Sequence, residues 1–444
     1  MKVAVVGGGP AGCAAAYTLR KQGHEVILFE AQDHVGGRTS QVKRDGFNIG
    51  SGALFLMGGI YPRTNALLKE LGRYDELVPW DAVTEVIDHD GKRYPAKFDQ
   101  VMSFLTMPVL TWRDRLRIAV GLGRKFVTAG PTSCFDGAEL AKWDEGDLET
   151  WSRRTLGDRG HRYITAPYMG FLYAVPASWL SPALFHAVVK QFHKLSLSVP
   201  PGGAGQVSDW LIEGATGVDL RLSEPVEDIE RCAGGFVVTA VGEPHEVDAV
   251  VVAPEPGVAA DLLSGLVSDE SVRKLRDCPY SDYAHVQIAY RNNPWPDHVA
   301  SVSLPANVER DWGACVRQSS RNPSSVPAGG EVIGVYFYTP PLEHMTDEDI
   351  VASALAAVRE VYGEAREPDF VELFHYRRGL SIAKPGHYAR MDSLHAEMPA
   401  GIYLAGDYFA HAGIEAAILS GELAATRLDA VGQLASSVAG MYAH

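Results

Sequence analysis

Residues 3–40 read VAVVGGGPAGCAAAYTLRKQGHEVILFEAQDHVGGRTS. Val3 to Val6 is a short apolar run suited to a strand buried on both faces. Gly7 to Gly12 break it, Ala14 to Lys21 favour helix, and Val26 to Glu30 make a second buried strand. Gly7, Gly9 and Gly12, with Pro10 and Ala11 between them, stand at the spacing of a dinucleotide-binding turn. There the first glycine permits the tight bend, the second lets a pyrophosphate approach the backbone, and the third lets helix and strand pack closely. The helix N-terminus adds amide donors and a partial positive charge. Glu30, followed by Ala31, ends the second strand 18 residues beyond Gly12, where a carboxylate accepts hydrogen bonds from ribose hydroxyls and repels a 2′-phosphate. The spacing predicts a bound dinucleotide and leaves NAD and FAD as alternatives.

At 444 residues the chain exceeds the roughly 250–300 at which one core stops growing, so two domains, or one domain split by insertions, are expected. Hydrophobic residues at 46% and charged residues at 21% are those of a globular protein. A net charge of −15 disfavours nucleic acid or an anionic membrane as a partner, since both need clustered Lys and Arg. The five cysteines, at positions 13, 134, 232, 278 and 315, form no Cys-x-x-Cys pair, which argues against a disulfide framework or a metal site and fits a reducing cytoplasm. No apolar run approaches the length of a membrane span, and no signal peptide is expected.

Gly36, Gly37 and Arg38 follow the acidic strand end. Two glycines beside an arginine allow close backbone approach and place a cation near a diphosphate. Here the sequence resembles the flavin-containing amine oxidase superfamily, in which a second glycine pair with arginine follows the ribose acid. The resemblance implies FAD as the ligand and assigns Gly50, Ser51, Gly52 and Ala53 to a small-residue loop against the isoalloxazine. GIYLAGDYFAHAGIEAAILSGELAATRL, residues 401–428, resembles the superfamily's closing flavin motif. In it Gly406 and Asp407 would meet the ribityl or diphosphate region, and the backbone amides near Glu415 and Ala416, with Gly413 and Ile414, the pyrimidine edge. Val226, in a stretch that looks like the adenine-side segment, would give backbone contacts to adenine. PPGGAGQVSDWL, residues 200–211, resembles the return loop into the FAD domain.

The implied fold is α/β: a discontinuous Rossmann-type FAD-binding domain over residues 1–85, 202–275 and 392–434, and an α+β substrate domain. Of that domain, residues 86–201 carry helical signals, including TWRDRLRIAVGLGRKFV, and residues 276–391 carry strands followed by a helix over Asp347 to Tyr362. Residues 435–444 are expected to form a loose tail.

WSRRTLGD, PYMGFLYAVPASWLS and HYRRGLSIAKPGHYARM resemble, in order and spacing, motifs of the protoporphyrinogen oxidase branch, with Gly386 and His387 at its Gly-His position. Aligning HVQIAYRNNPW with the amine oxidase strand that carries a flavin-facing lysine places His285 at that position, and implies a proton-handling catalytic role for it. The tandem aromatics that sandwich amines in monoamine oxidases are replaced by His411 and Ala412. Residues 86–201 alternate charged and apolar residues too often to suggest a wide exposed apolar face, so no membrane-binding surface is expected. No cysteine follows Cys315, so FAD is expected to be noncovalent. Tyr168, Phe171, Tyr173, Tyr336 and Tyr338 are substrate-pocket candidates.

The implied activity is an FAD-dependent oxidase or dehydrogenase, taking hydride from a C–N or C–C bond of a small molecule with oxygen as electron acceptor. A flavoprotein isomerase or cyclase without net oxidation, or a binding module without chemistry, are the other classes.

Overall fold

The computed structural model of the chain describes residues 1–128, 130–306, 310–364 and 366–441. The apolar run of the opening stretch is the strand Lys2–Val6, at the centre of a five-stranded sheet. Its order is Asp219–Leu222, Glu25–Glu30, Lys2–Val6, Ala249–Val252 and Ile402–Leu404. Every pairing is parallel. Parallel strands need crossovers over the sheet faces, which buries both faces and explains the unbroken Val, Ile and Ala runs. This is the Rossmann-type α/β sheet that the sequence implied.

The first and last glycine motifs meet through two alanine-rich helices. Ala11 and Ala15 of Pro10–Lys21 are buried with Ala417 and Ala424 of Ile414–Met441. A Cβ on Gly421 would lie 2.1 Å from the Ala11 carbonyl oxygen, so the helices approach too closely for any side chain there. On the other face, the antiparallel strands Val226–Cys232, Gly235–Ala240 and Glu243–Val247 press Ile229, Phe236 and Val238 onto Ala4, Val6 and Phe29. The expected tail continues as helix to residue 441, and residues 442–444 lie outside the described residues.

A second sheet has seven strands, in the order Phe370–Ser381, Tyr280–Tyr290, Glu331–Phe337, Trp312–Arg317, Val302–Pro305, Val83–Ile87 and Arg93–Lys97. The last two correct the boundary expected at residue 85. It cuts a strand, because Val83–Ile87 pairs in parallel with Val302–Pro305, 218 residues away in register. The helix expected over Asp347 to Tyr362 is present with those ends, capped reciprocally by Thr346 and Asp349.

Helices Trp112–Val127, Leu148–Gly160, Ala166–Tyr173 and Pro182–Gln191 fill the intervening stretch. The second breaks at Gly157 (φ 85°) and passes through a π turn, His161–Thr165, into the third. The expectation of no exposed apolar face is overturned on the first: Trp112, Leu116, Val120, Phe126 and Val127 are all exposed. Charge alternates with apolar residues along the chain, but the helical period gathers the apolar ones on one side. No helix among the described residues is long and apolar enough to cross a membrane.

Candidate active site

A cavity of about 490 Å³ opens at the carboxyl ends of the parallel strands and extends to the seven-stranded sheet. Val6, Phe29, Glu30 and Ala253 line it from the first sheet, and Tyr283 and Tyr376 from the second.

One end is built of backbone. Gly7 takes φ 95°, the left-handed turn that releases the chain from the strand. A Cβ on Gly9 would meet nothing within 4 Å, so the wall there stays open to a ligand. One on Gly12 would lie 1.9 Å from the Gly7 carbonyl oxygen, so helix and turn could not close. Gly9 is the N-cap of Pro10–Lys21 and no side chain caps that helix, which leaves its first amides to an anion. The Glu30 carboxylate accepts from the Gly8 amide at 2.5 Å and the Gln32 amide at 2.8 Å, and still reaches the cavity. The Gly36 amide donates to the Gly8 carbonyl at 2.8 Å and ties the second glycine pair to the first turn. Gly37, Arg38 and Val226 line the same end. Arg38 donates to Asp407 Oδ1 at 2.9 Å and to the Gly379 carbonyl at 2.8 Å, and the Tyr280 hydroxyl also donates to Asp407, at 3.3 Å. Open glycine backbone, an uncapped helix terminus, a buried carboxylate and a braced arginine in one continuous cavity fit a dinucleotide.

The other end is built of side chains. Leu54, Phe55, Met57, Tyr61, Phe171, Leu172, Tyr173, Tyr283, Tyr376 and Ala412 wall it, with Gly52, Ala53, Gly406, Gly413 and Ile414 between the two ends. Tyr283 and Tyr376 are cross-strand partners stacked at 6.5 Å, next to a register shift between Ser281 and Tyr283. Burial pushes the Tyr173 and Tyr283 hydroxyls well above the ordinary phenol range.

His285 is not on this wall. It is fully buried behind it, where Nε2 donates to the Ser51 carbonyl at 2.9 Å and Nδ1 accepts from Gln287 at 2.7 Å. Its ring lies between Tyr336 (5.1 Å) and Phe374 (4.9 Å). Burial pushes its pKa down to about 4, so it is neutral, with both nitrogens occupied. It therefore positions the Ser51 loop. Tyr283, two residues earlier on the same strand face, holds the place in the cavity that the alignment gave to His285.

Several of the other expected residues take structural parts through their side chains. The Glu415 carboxylate accepts from the amides of Arg63 and Thr64, both at 2.8 Å, and from the Thr64 hydroxyl at 2.6 Å. It caps helix Pro62–Glu70 from across the fold. Burial raises its pKa. Gly12, Gly36, Gly50, Ser51 and Ala416 support the wall without lining it. Phe171 and Tyr173 line the cavity, whereas Tyr168 stacks on Phe98 at 4.2 Å, Tyr336 accepts from Gln287 and Gln318, and Tyr338 packs under Gly170. His387 does not line the cavity and donates to the carbonyl of Tyr408, which does, at 2.8 Å.

Arg321 went unnoticed in the sequence. It is 2% exposed, donates to the Leu54 carbonyl and leaves Nε without a partner; among the described residues it makes no ion pair. Burial lowers its pKa, and its charge is felt at Tyr283 and His285. Its sequence surroundings, Gln318 to Asn322, carry no signal of burial.

The model of the family described as flavin containing amine oxidoreductase matches residues 10–429. A "Probable zeta-carotene desaturase" of Synechococcus elongatus is 32% identical over 171 residues, 36% of this chain and 35% of that protein, so the chain matches about a third of that relative's length. A candidate protoporphyrinogen oxidase from Exiguobacterium sp. 255-15 shares the fold with TM-score 0.76 at 20% identity, over 97% of this chain and 98% of that one. A triple mutant of putrescine oxidase shares it with TM-score 0.78 at 19% identity, over 97% and 98%.

Proposed function

The chain belongs to the flavin containing amine oxidoreductase family and is a flavin-dependent oxidoreductase; from that premise we propose that it binds FAD noncovalently and desaturates a carbon–carbon single bond of an apolar, unsaturated small molecule, one carbon losing a hydride and its neighbour losing a proton to solvent. FAD, when bound, supplies the hydride acceptor. The observation that carries the substrate class is the wall of the side-chain end, which offers aromatic and aliphatic surface, no carboxylate, and the uncompensated charge of Arg321 behind it. A protonated amine would lose its water there and gain no counter-charge. The partial likeness to a zeta-carotene desaturase supports the same choice.

In this reading Glu30 accepts from the adenosine ribose, Val226 lies beside adenine, and the Pro10–Lys21 terminus with Arg38 faces the diphosphate. Asp407 and Gly379 hold Arg38 in place. Ser51, braced by His285, fixes the loop that carries Gly52 and Ala53. The aromatic wall orients the substrate and excludes water, and its buried hydroxyls stay protonated, so they donate hydrogen bonds and do not serve as charged bases. No cysteine or histidine lines the cavity among the described residues, which supports a noncovalent cofactor.

The test is anaerobic mixing of the flavin-loaded protein with candidate substrates. An isoprenoid polyene that retains a saturated carbon–carbon bond is expected to bleach the flavin, air to restore the colour with release of peroxide, and putrescine to do nothing. Bleaching by amines and not by polyenes overturns the reading.

A further inference from the structure

Helix Trp112–Val127 is an exposed amphipathic element turned the wrong way round for a globular surface. Its inner face is narrow: Ile118 and Gly121 are its buried residues, with Leu122 partly covered. Its outer face carries Trp112 at 69% exposure, Leu116 at 57%, Val120 at 59%, Phe126 at 48% and Val127 at 79%. At about 100° per residue these five fall within one sector about 120° wide, with Ala119 and Gly123 also inside it. Met102, on the neighbouring helix Val101–Leu105, is 67% exposed and extends the apolar surface. A stripe this wide, left in water, marks an interaction surface.

The charges say what covers it. The helix holds five basic residues, Arg113, Arg115, Arg117, Arg124 and Lys125, against one acid, Asp114. Arg113, Arg117 and Arg124 line one border of the stripe and Arg115 the other. Lys190 is tied to the helix end through the Thr128 carbonyl at 2.9 Å. The whole chain carries −15, so a concentration of positive charge on this helix alone selects which side approaches an anionic surface. Tryptophan at the first turn, arginines at both borders and an apolar sector between them are the pattern of a helix lying in the plane of a bilayer interface.

We propose that helix Trp112–Val127 docks this protein on the surface of an anionic lipid bilayer, with Trp112, Leu116, Val120 and Val127 in the acyl boundary and the bordering arginines on the headgroups. The inner side of the helix lies over a small cavity of about 30 Å³ lined by Leu122, Phe104, Tyr168 and Phe185 among others. From it, Tyr168 stacks on Phe98, and Phe98 packs edge-on against Phe171 of the main cavity at 5.3 Å. A lipid-borne substrate would thus be presented beside the aromatic end of the site. That last link rests on the proposed substrate class; the docking rests on the surface alone.

The flavin-loaded protein is to be floated with vesicles of phosphatidylcholine alone and of phosphatidylcholine with an equal part of phosphatidylglycerol. Binding is expected to the second, falling at least tenfold in L116D/V120D and in R113E/R124E, with flavin content and melting temperature unchanged in both variants. Quenching of tryptophan fluorescence by brominated acyl chains should be largely lost in W112F. The proposal is overturned by equal partition of wild type and L116D/V120D, by no binding to either vesicle, or by a dimer in sedimentation velocity that L116D/V120D abolishes while vesicle binding stays absent. Anaerobic flavin reduction by a polyene in detergent micelles separates the two claims: reduction without vesicle binding keeps the substrate class and discards the docking.

Discussion

At the nucleotide end of the cavity the wall is backbone held open by residue type: Gly7 turns, Gly9 leaves room, Gly12 closes on Gly7, and Glu30 reaches in from a strand end. At the aromatic end the wall is side chains delivered from far apart, Phe55 and Tyr61 from one stretch, Phe171 and Tyr173 from a kinked helix, Tyr283 and Tyr376 from adjacent strands. A backbone wall ties function to one residue at one spacing and tolerates no substitution. A side-chain wall ties function to register and packing, and tolerates exchange of similar shapes.

The largest effect should come from breaking the backbone wall. In Gly12→Val, branched carbons would be driven into the Gly7 carbonyl, and overpacking costs about 1–3 kcal/mol or more before any loss of cofactor is counted. The expected product is protein that purifies without flavin or not at all, read by absorbance and thermal melting. Normal flavin content in this variant would break the comparison.

Acid should lower stability through the buried histidines. His285 and His387 are pushed down to about 4 and His411 to about 3, each chiefly by burial. Above the ordinary histidine value near 6.5 neither the folded nor the unfolded chain carries these protons. As pH falls from about 6.5 to about 4 the unfolded chain takes them up first and stability drops, by up to about 3 kcal/mol for His285 alone. Below about 4 that group removes nothing further. Melting temperatures between pH 8 and pH 4 should therefore fall through this window, and less steeply in His285→Gln, whose melting temperature at pH 8 is already lower.

Smaller effects sharpen the contrast. Glu30→Gln keeps size and removes the charge, which is worth about 1–3 kcal/mol of cofactor affinity for a charge-assisted bond; a dissociation constant equal to wild type would move the ribose contact elsewhere. Tyr283→Phe keeps the ring and removes the hydroxyl. It should leave flavin content unchanged and alter anaerobic reduction by less than about tenfold, because the ring is what shapes the wall.

This difference also explains what could be read from the sequence. The glycine turns, Glu30 and Arg38 stood out by residue type and spacing and Asp407 by the resemblance, and the structure brings them to one cavity. His285 was misplaced by two positions because Tyr283 and His285 share one face of the strand Tyr280–Tyr290, so the period-2 pattern cannot tell which of them reaches the cavity and which packs behind it. The capping role of the Glu415 carboxylate was not legible because the amides it accepts from lie 351 and 352 residues away in sequence, at the start of another helix. Arg321 and the outer face of Trp112–Val127 were missed for a shared reason: burial and exposure are tertiary facts, and neither an arginine in a short turn nor an amphipathic helix states which way it points.

The most direct test is the flavin released when the purified protein is denatured by heat. The account predicts FAD, close to one per chain, free in the supernatant, with no flavin left on the precipitated polypeptide. A colourless folded protein, FMN in place of FAD, or flavin that stays covalently with the chain would contradict it.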